Sequence, residues 1–332
     1  MMFRGKLIAV ICAFFFCGIW SLDAQAAPIK VRAGYASVAA GNALIWVTKE
    51  AGKFEENDLD VDLVYLQNAS LSAQVLIAGS IGFALMGGGP ALQARLKGAD
   101  LLLLATTKKV PSLVYLVTSK KIADLQHLKG STLGVSRIGS SSDLILRWAL
   151  RQVGLNPEKD VKILQVGNSP LRLAALQVER IDGTILTVDD KVTADKLNLN
   201  ILLDLRKLGI EWLEADLVST KRMIDSEGAT VRKFVKALIE GVHYFKVHRA
   251  ESMRIMAKYM VNVDPKVIET GYEFHAEEYQ RKPYPSAKAI KLALEEIGRR
   301  NPAARQAKPE QFFDSQFVKE LDQSGFIDAL YK

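Results

Sequence analysis

From Ile29 onward the apolar positions switch between two spacings, and each switch marks a new element. Alternation with period two predicts strands over 29–35, 59–66, 82–86 and 101–106, while returns every three or four residues predict helices over 42–54, 71–78 and 90–97. A second series repeats the scheme, with strands over 113–118, 131–135, 161–166, 184–188 and 199–205 and helices over 142–153 and 171–178. After Asp216-Leu217-Val218-Ser219-Thr220 the pattern becomes almost wholly helical, with amphipathic stretches over 231–247 and 250–260. Pro265, Pro283, Pro285 and Pro302 then divide the remainder into short helices.

Strands alternating with helices through short connections predict an α/β protein of mostly parallel sheets covered on both faces, with ligands at the carboxyl ends of the strands. The 332 residues of the chain exceed what one core usually holds, so two domains are expected. Helices appended after two βα series need a surface to pack on, and returning to the first sheet supplies it. That predicts two chain crossings, near 111–113 and 215–219. The domains are then a first lobe over 27–112, a second over 113–216, and a mostly helical return to the first over 217–332.

The amino terminus has a different character. Arg4 and Lys6 precede an apolar run from Leu7 to Trp20, and Asp23-Ala24-Gln25-Ala26-Ala27 follows it. A charged start, a short apolar centre and an A-x-A site read as a cleaved signal peptide over 1–26. The run is shorter than the roughly 20 residues a membrane-spanning helix requires. Cys12 and Cys17 both fall inside it, so the mature chain has no thiol for a disulfide, a metal or nucleophilic attack. Removing Arg4, Lys6 and Asp23 lowers the formal charge from +7 to +6. The basic residues are scattered among acidic ones rather than gathered in blocks, which describes a solvated mixed surface and excludes nucleic acid as a partner.

Candidate chemistry gathers at turns. Gly87-Gly88-Gly89 follows a strand and opens a helix with Pro90 at its start. Either a ligand approaches the backbone N–H groups there, or the glycines only serve a tight turn. Ser140, Ser141 and Ser142 stand at the start of the long helix of the second lobe, where hydroxyls and free N–H groups attract an anion or simply cap the helix. Asp143 beside them opposes an anion. Ser37, Ala40, Gly41 and Asn42 form a loop of small residues after the first strand. Thr187, Asp189 and Asp190 follow a strand of the second lobe, and the aspartates either meet a cationic group or cap the next helix. Trp46 and Trp148 read as core, and Trp212 as core or a cleft contact. The histidines His127, His243, His248 and His275 lack metal-ligand spacing, and neither a G-x-S-x-G elbow nor a Walker A sequence is present. No catalytic residue, metal site or cofactor is therefore expected.

Several segments resemble one family. Tyr35-Ala36-Ser37, followed by Trp46-Val47-Thr48-Lys49-Glu50-Ala51-Gly52-Lys53-Phe54 and Leu59-Asp60-Val61, is similar to the opening of the substrate-binding proteins of ABC importers for nitrate, taurine, alkanesulfonates and thiamine precursors, the SsuA/THI5-like or NMT1-like group. The stretch from Leu125 to Gly130, with Gly134-Val135 and Gly139-Ser140-Ser141-Ser142, resembles the segment that opens the family's second lobe. Arg180-Ile181-Asp182-Gly183 is similar to the turn that closes it. Ile81-Gly82-Phe83 departs from the pattern, with glycine where the family usually has aspartate.

The resemblance covers nearly the whole mature chain. It implies a periplasmic binding protein type II-like fold: two doubly wound lobes, two crossings and a ligand cleft between them. It further implies an exported monomer, periplasmic or extracellular, that captures a small polar or anionic solute and delivers it to the membrane subunits of an ABC permease. The same group includes pyrimidine synthases with a cysteine-rich iron motif, and the missing cysteines set this chain apart from them. Two rival readings are an enzyme acting on a small heterocycle and a ligand-sensing domain for a signalling receptor.

Overall fold

The computed structural model describes residues 27–332, so the signal peptide read over 1–26 lies outside the described residues. Among the described residues ten strands form: β1 (Ile29–Tyr35), β2 (Leu59–Tyr65), β3 (Phe83–Met86), β4 (Leu101–Thr106), β5 (Leu113–Thr118), β6 (Thr132–Val135), β7 (Lys162–Gln165), β8 (Gly183–Thr187), β9 (Asn200–Asp204) and β10 (Asp216–Thr220). They build two five-stranded sheets, ordered β2-β1-β3-β10-β4 and β7-β6-β8-β5-β9. β4 and β5 are buried at every position, as continuous apolar runs covered on both faces should be.

The two sheets follow one plan. In each, the first strand of the βα series lies between that series' second and third in parallel, as β1 does with β2 and β3 and β6 with β7 and β8. A strand delivered by a chain crossing then pairs antiparallel with both its neighbours: β10 between β3 and β4, and β5 between β8 and β9. Four of the five strands in each sheet therefore run the same way, as the alternation predicts, and the one antiparallel strand makes each sheet mixed. A strand entering from the other lobe runs back across the sheet, and the helix alternation of the flanking units hides it.

Packing repeats as well. A Cβ on Gly34, near the end of β1, would sit 2.8 Å from Ile81 Cδ1; one on Gly134, near the end of β6, would sit 2.6 Å from Ile181 Cδ1. Each lobe thus seats an isoleucine from the turn before its third strand over a glycine in its first.

Behind the first sheet the core is deep. Helix Gly228–Val247 lies along helix Ala43–Glu50, and Gly241 permits the approach, since a Cβ there would meet Thr48 Oγ1 at 2.0 Å. Phe234 stacks on Phe83 with centroids 4.0 Å apart and also contacts Phe54 at 4.8 Å. The second sheet is covered more thinly: β7 is solvent-exposed along most of its length, and Leu164 on it is 42% exposed.

Two crossings join the lobes, and they bond to each other. Thr107 donates its N–H to the Ala215 carbonyl (2.9 Å), and Trp212 donates to the Lys109 carbonyl (2.7 Å). Helix Ala287–Gly298 touches both lobes beside them, tied to the second crossing by Ser286 Oγ donating to Glu211 Oε2 and to the second lobe by the Arg151–Glu296 ion pair. Trp212 is buried here with its ring 5.9 Å from that of Trp148, so it is a core residue at the crossing and does not line the cleft.

Candidate ligand-binding cleft

Strand tips from both sheets face one cavity of about 100 Å³ between the lobes. From the first lobe come Ala36 and Ser37 after β1, Met86 and Gly87 at the end of β3, and Asn68 with Ala69 after β2. The second lobe supplies Ser136 after β6, Thr187 at the end of β8, Ser140 to Ser142, and Asn168 with Ser169 after β7.

Three helices begin at this cavity. Ala69–Ile77 and Ser169–Gln177 are each capped by an asparagine, Asn68 accepting from the Leu71 N–H (2.9 Å) and Asn168 from the Leu171 N–H (3.3 Å). Ser141–Gln152 is the third, and its N-cap Ser140 makes no side-chain cap bond. Each start carries N–H groups without an intrahelical acceptor and the positive end of a helix dipole. Their convergence produces a field that favours negative charge.

The serines divide the work. Ser136, Ser140 and Ser142 hydroxyls form a triangle with sides of 2.8, 2.9 and 3.0 Å, and Ser142 Oγ accepts the Ser136 N–H (2.9 Å). Ser141 Oγ is buried without a partner and stands against Gly87 of the opposite lobe, where a Cβ would come within 2.2 Å of it. Asp143 does not oppose an anion after all. Its carboxylate turns back to accept from Arg147 Nε (2.7 Å), the Gly139 N–H (2.9 Å) and Arg300 (3.4 Å).

Pattern reading missed Arg172, along with Asn68, Ser136, Asn168, Ser169 and Glu214. Arg172 lies on helix Ser169–Gln177 and is buried, with Nε donating to Thr184 Oγ1 (2.9 Å) and the two Nη atoms to Ser169 Oγ and the Gly167 and Ile185 carbonyls. Among the described residues no carboxylate forms an ion pair with it. Burial pulls the guanidinium down to about 10, opposed by the charge of Asp190. Across the cleft, Glu214 on the second crossing has a buried oxygen without a partner, and burial pushes its carboxyl up to about 7 despite the pull of Lys108.

Of the residues expected at the site, Ser37, Asn42, Gly87, Ser140, Ser141, Ser142 and Thr187 line the cleft. Asn42 donates to Ser37 Oγ (2.7 Å), and Thr187 Oγ1 donates to Asp190 Oδ2 (2.8 Å). The others lie off it, for identifiable reasons. Ala40 is fully buried under the loop. Gly41 packs on Ser112 and Lys108 of the first crossing, and Gly88 turns inward to donate its N–H to Asp216 (2.9 Å). Gly89 carries no side chain because Leu144 of the second lobe occupies that space; a Cβ would meet Leu144 Cδ1 at 2.4 Å. Asp189 lies below the opening, accepting the Ala40 N–H at 3.4 Å.

Lys108 sits behind the cleft, fully buried in the first crossing. It donates to Ser112 Oγ and lies 3.0 Å from His275 Nδ1, and burial pulls its ammonium down to about 8.

The chain and its fold have counterparts among known proteins. The chain is 24% identical over 251 residues to proteins named as binding proteins in Brucella abortus, Brucella suis and Brucella melitensis, covering 73% of this chain and 75% of theirs. Its structure is similar to the alkanesulfonate-binding protein SsuA from Xanthomonas axonopodis pv. citri bound to MOPS, at TM-score 0.70 and 20% identity over 86% of this chain and 96% of that one. It also resembles the periplasmic nitrate-binding protein NrtA from Synechocystis PCC 6803, at TM-score 0.66 and 11% identity over 90% and 89% of the two chains. Both likenesses establish the periplasmic binding protein fold. Residues 41–252, well over half of the chain, match the sequence profile described as NMT1/THI5 like, and the chain belongs to that family.

Proposed function

We propose that this protein is the solute receptor of an ABC importer, exported by the leader over 1–26, and that it captures a small organic anion between its lobes for delivery to the membrane subunits. The observation that carries the reading is Arg172: a buried guanidinium without a carboxylate partner among the described residues, lining the cavity at which three helices begin, its own among them. A buried charge is unfavourable until paired, and an anionic ligand supplies the missing partner. The unpartnered Ser141 hydroxyl adds a donor from the same wall. The names of the relatives and the family fold support capture and release rather than turnover.

Contacts from both walls favour the closed arrangement, because a ligand shifts a conformational equilibrium only by its difference in affinity for the two states. Calorimetric titration tests the charge requirement directly. A short alkanesulfonate binds and the neutral sulfonamide of the same size does not; equal affinity for both overturns the reading. Arg172→Met lowers sulfonate affinity by roughly ten- to hundredfold, the value of a charge-assisted pair in a dry site.

A further inference from the structure

We propose that the cleft continues into an apolar groove that holds the carbon body of the ligand, so that the cargo is an amphiphilic anion bearing an N–H or O–H donor, not a compact oxyanion. This rests on the reading of the cleft as an anion site. The groove has a volume of about 390 Å³ and shares Ser37, Ala39, Asn168 and Ser169 with the cleft, so one molecule can occupy both. The cleft alone, at about 100 Å³, has room for a charged head of a few atoms.

Its walls come from both lobes. Val38 and the turn with Val261 and Val263 stand on one side; Pro170 and Leu173, from one face of helix Ser169–Gln177, and Leu197 stand on the other. Arg172, on the next face of that helix, points to the cleft while Pro170 and Leu173 point to the groove, so head and body are read by a single element. Val261 is 68% exposed at the rim, an apolar side chain with no neighbour to cover it.

The groove also contains Asp189. It is buried, Oδ2 takes the Ala40 N–H, and Oδ1 has no partner. An acceptor left unpaired in apolar surroundings is unfavourable, and a donor on the ligand body pairs with it. Asp190 beside it is already engaged by Thr187. Asp189 is thus the residue that distinguishes a donor-bearing body from a plain hydrocarbon one.

Calorimetry with three sulfonates tests the proposal on the unaltered protein: methanesulfonate as the head alone, cyclohexylaminoethanesulfonate as head, ring and a protonated N–H donor, and cyclohexylpropanesulfonate, in which CH2 replaces the NH2+. The ring-bearing amine binds roughly ten- to hundredfold more tightly than methanesulfonate, as expected for burying a group of that size. It also binds more tightly than its carbon analogue, and Asp189→Asn narrows that gap. Val261→Asp, at an exposed position where folding is not at stake, weakens the ring-bearing ligand more than it weakens methanesulfonate. Equal affinity for methanesulfonate and the ring-bearing ligands overturns the groove and leaves the anion cleft standing. Equal affinity of the amine and its carbon analogue overturns the role of Asp189. Failure of all three sulfonates, with carboxylates failing too, sinks the anion reading itself.

Discussion

The two lobes share a strand order, a crossing strand in the same place and an isoleucine seated over a glycine, yet they are built to different depths. The first carries the helices Gly228–Val247, Arg249–Tyr259 and Pro265–Glu278 behind its sheet, with Phe54, Phe83 and Phe234 stacked at the centre. The second shares the core around helix Ser141–Gln152 with the first lobe, and has only small clusters on its other face and an exposed edge strand. Chemistry is distributed the other way. Arg172, the serine triangle and Ser141 belong to the thin lobe, whereas the deep lobe contributes uncharged residues. The difference teaches that a shared topology fixes where a site forms but not which half carries its charge.

The largest expected effect probes depth. Phe234→Ala costs about 3–5 kcal/mol in denaturant unfolding, the usual range for removing a buried ring. Leu173→Ala in the second lobe costs about 2 kcal/mol, at the low end for a leucine, because solvent lies close by. Equal losses would dissolve the contrast between the lobes.

Two adjacent glycines sharpen it next. Gly87 faces Ser141 across the cleft, while Gly88 is packed within the first lobe, where a Cβ would lie 3.0 Å from both Asp216 Oδ2 and Leu103 Cδ2. Gly87→Val therefore obstructs closure and weakens ligand binding by roughly ten- to hundredfold without lowering the ligand-free melting temperature. Gly88→Val lowers the melting temperature instead. A matched loss of stability in both variants would show that Gly87 is a folding residue as well.

The smallest effect concerns Glu214, between the lobes. Its carboxyl is raised to about 7 in the folded protein, mainly by burial. The native state therefore holds its proton more tightly than the unfolded chain does, and stability falls as pH rises from the unfolded value near 4.5 through 7. Glu214→Gln removes that slope. It raises the melting temperature at pH 8 by roughly 2–4 °C, about 1 kcal/mol after losing the attraction of Lys108, and leaves it unchanged at pH 4. An increase of the same size at both values would exclude ionisation as the cause.

Much of this was legible in the order of residues. The strands over 29–35, 101–106 and 113–118 match the structure residue for residue, because uninterrupted or alternating apolar runs bounded by turns leave few alternatives. The sequence over β10 reads as a crossing and not as a strand. Its segment is short, with Leu217 and Val218 between polar residues, and what makes it a strand is pairing with β3 and β4, both distant in the chain. At the site, the serine turn announced itself through capping chemistry. Arg172 did not, since an arginine on an amphipathic helix reads as a solvated charge. Thr184 and Ile185, brought beside it by β8, together with Ser169 and the Gly167 carbonyl of its own turn, supply the acceptors that hold it in place. Gly88 and Gly89 were grouped with Gly87 because a run of glycines carries no sign of which one faces a partner.

The bonds from Thr107 to Ala215 and from Trp212 to Lys109 have a mechanical consequence. Two independent tethers would let the halves twist, slide and splay. Laced together, they behave as one narrow ribbon, which bends readily across its width and resists torsion along its length. Displacement of one half against the other is then confined to a single angle, and a partner touching both halves has only that angle to read.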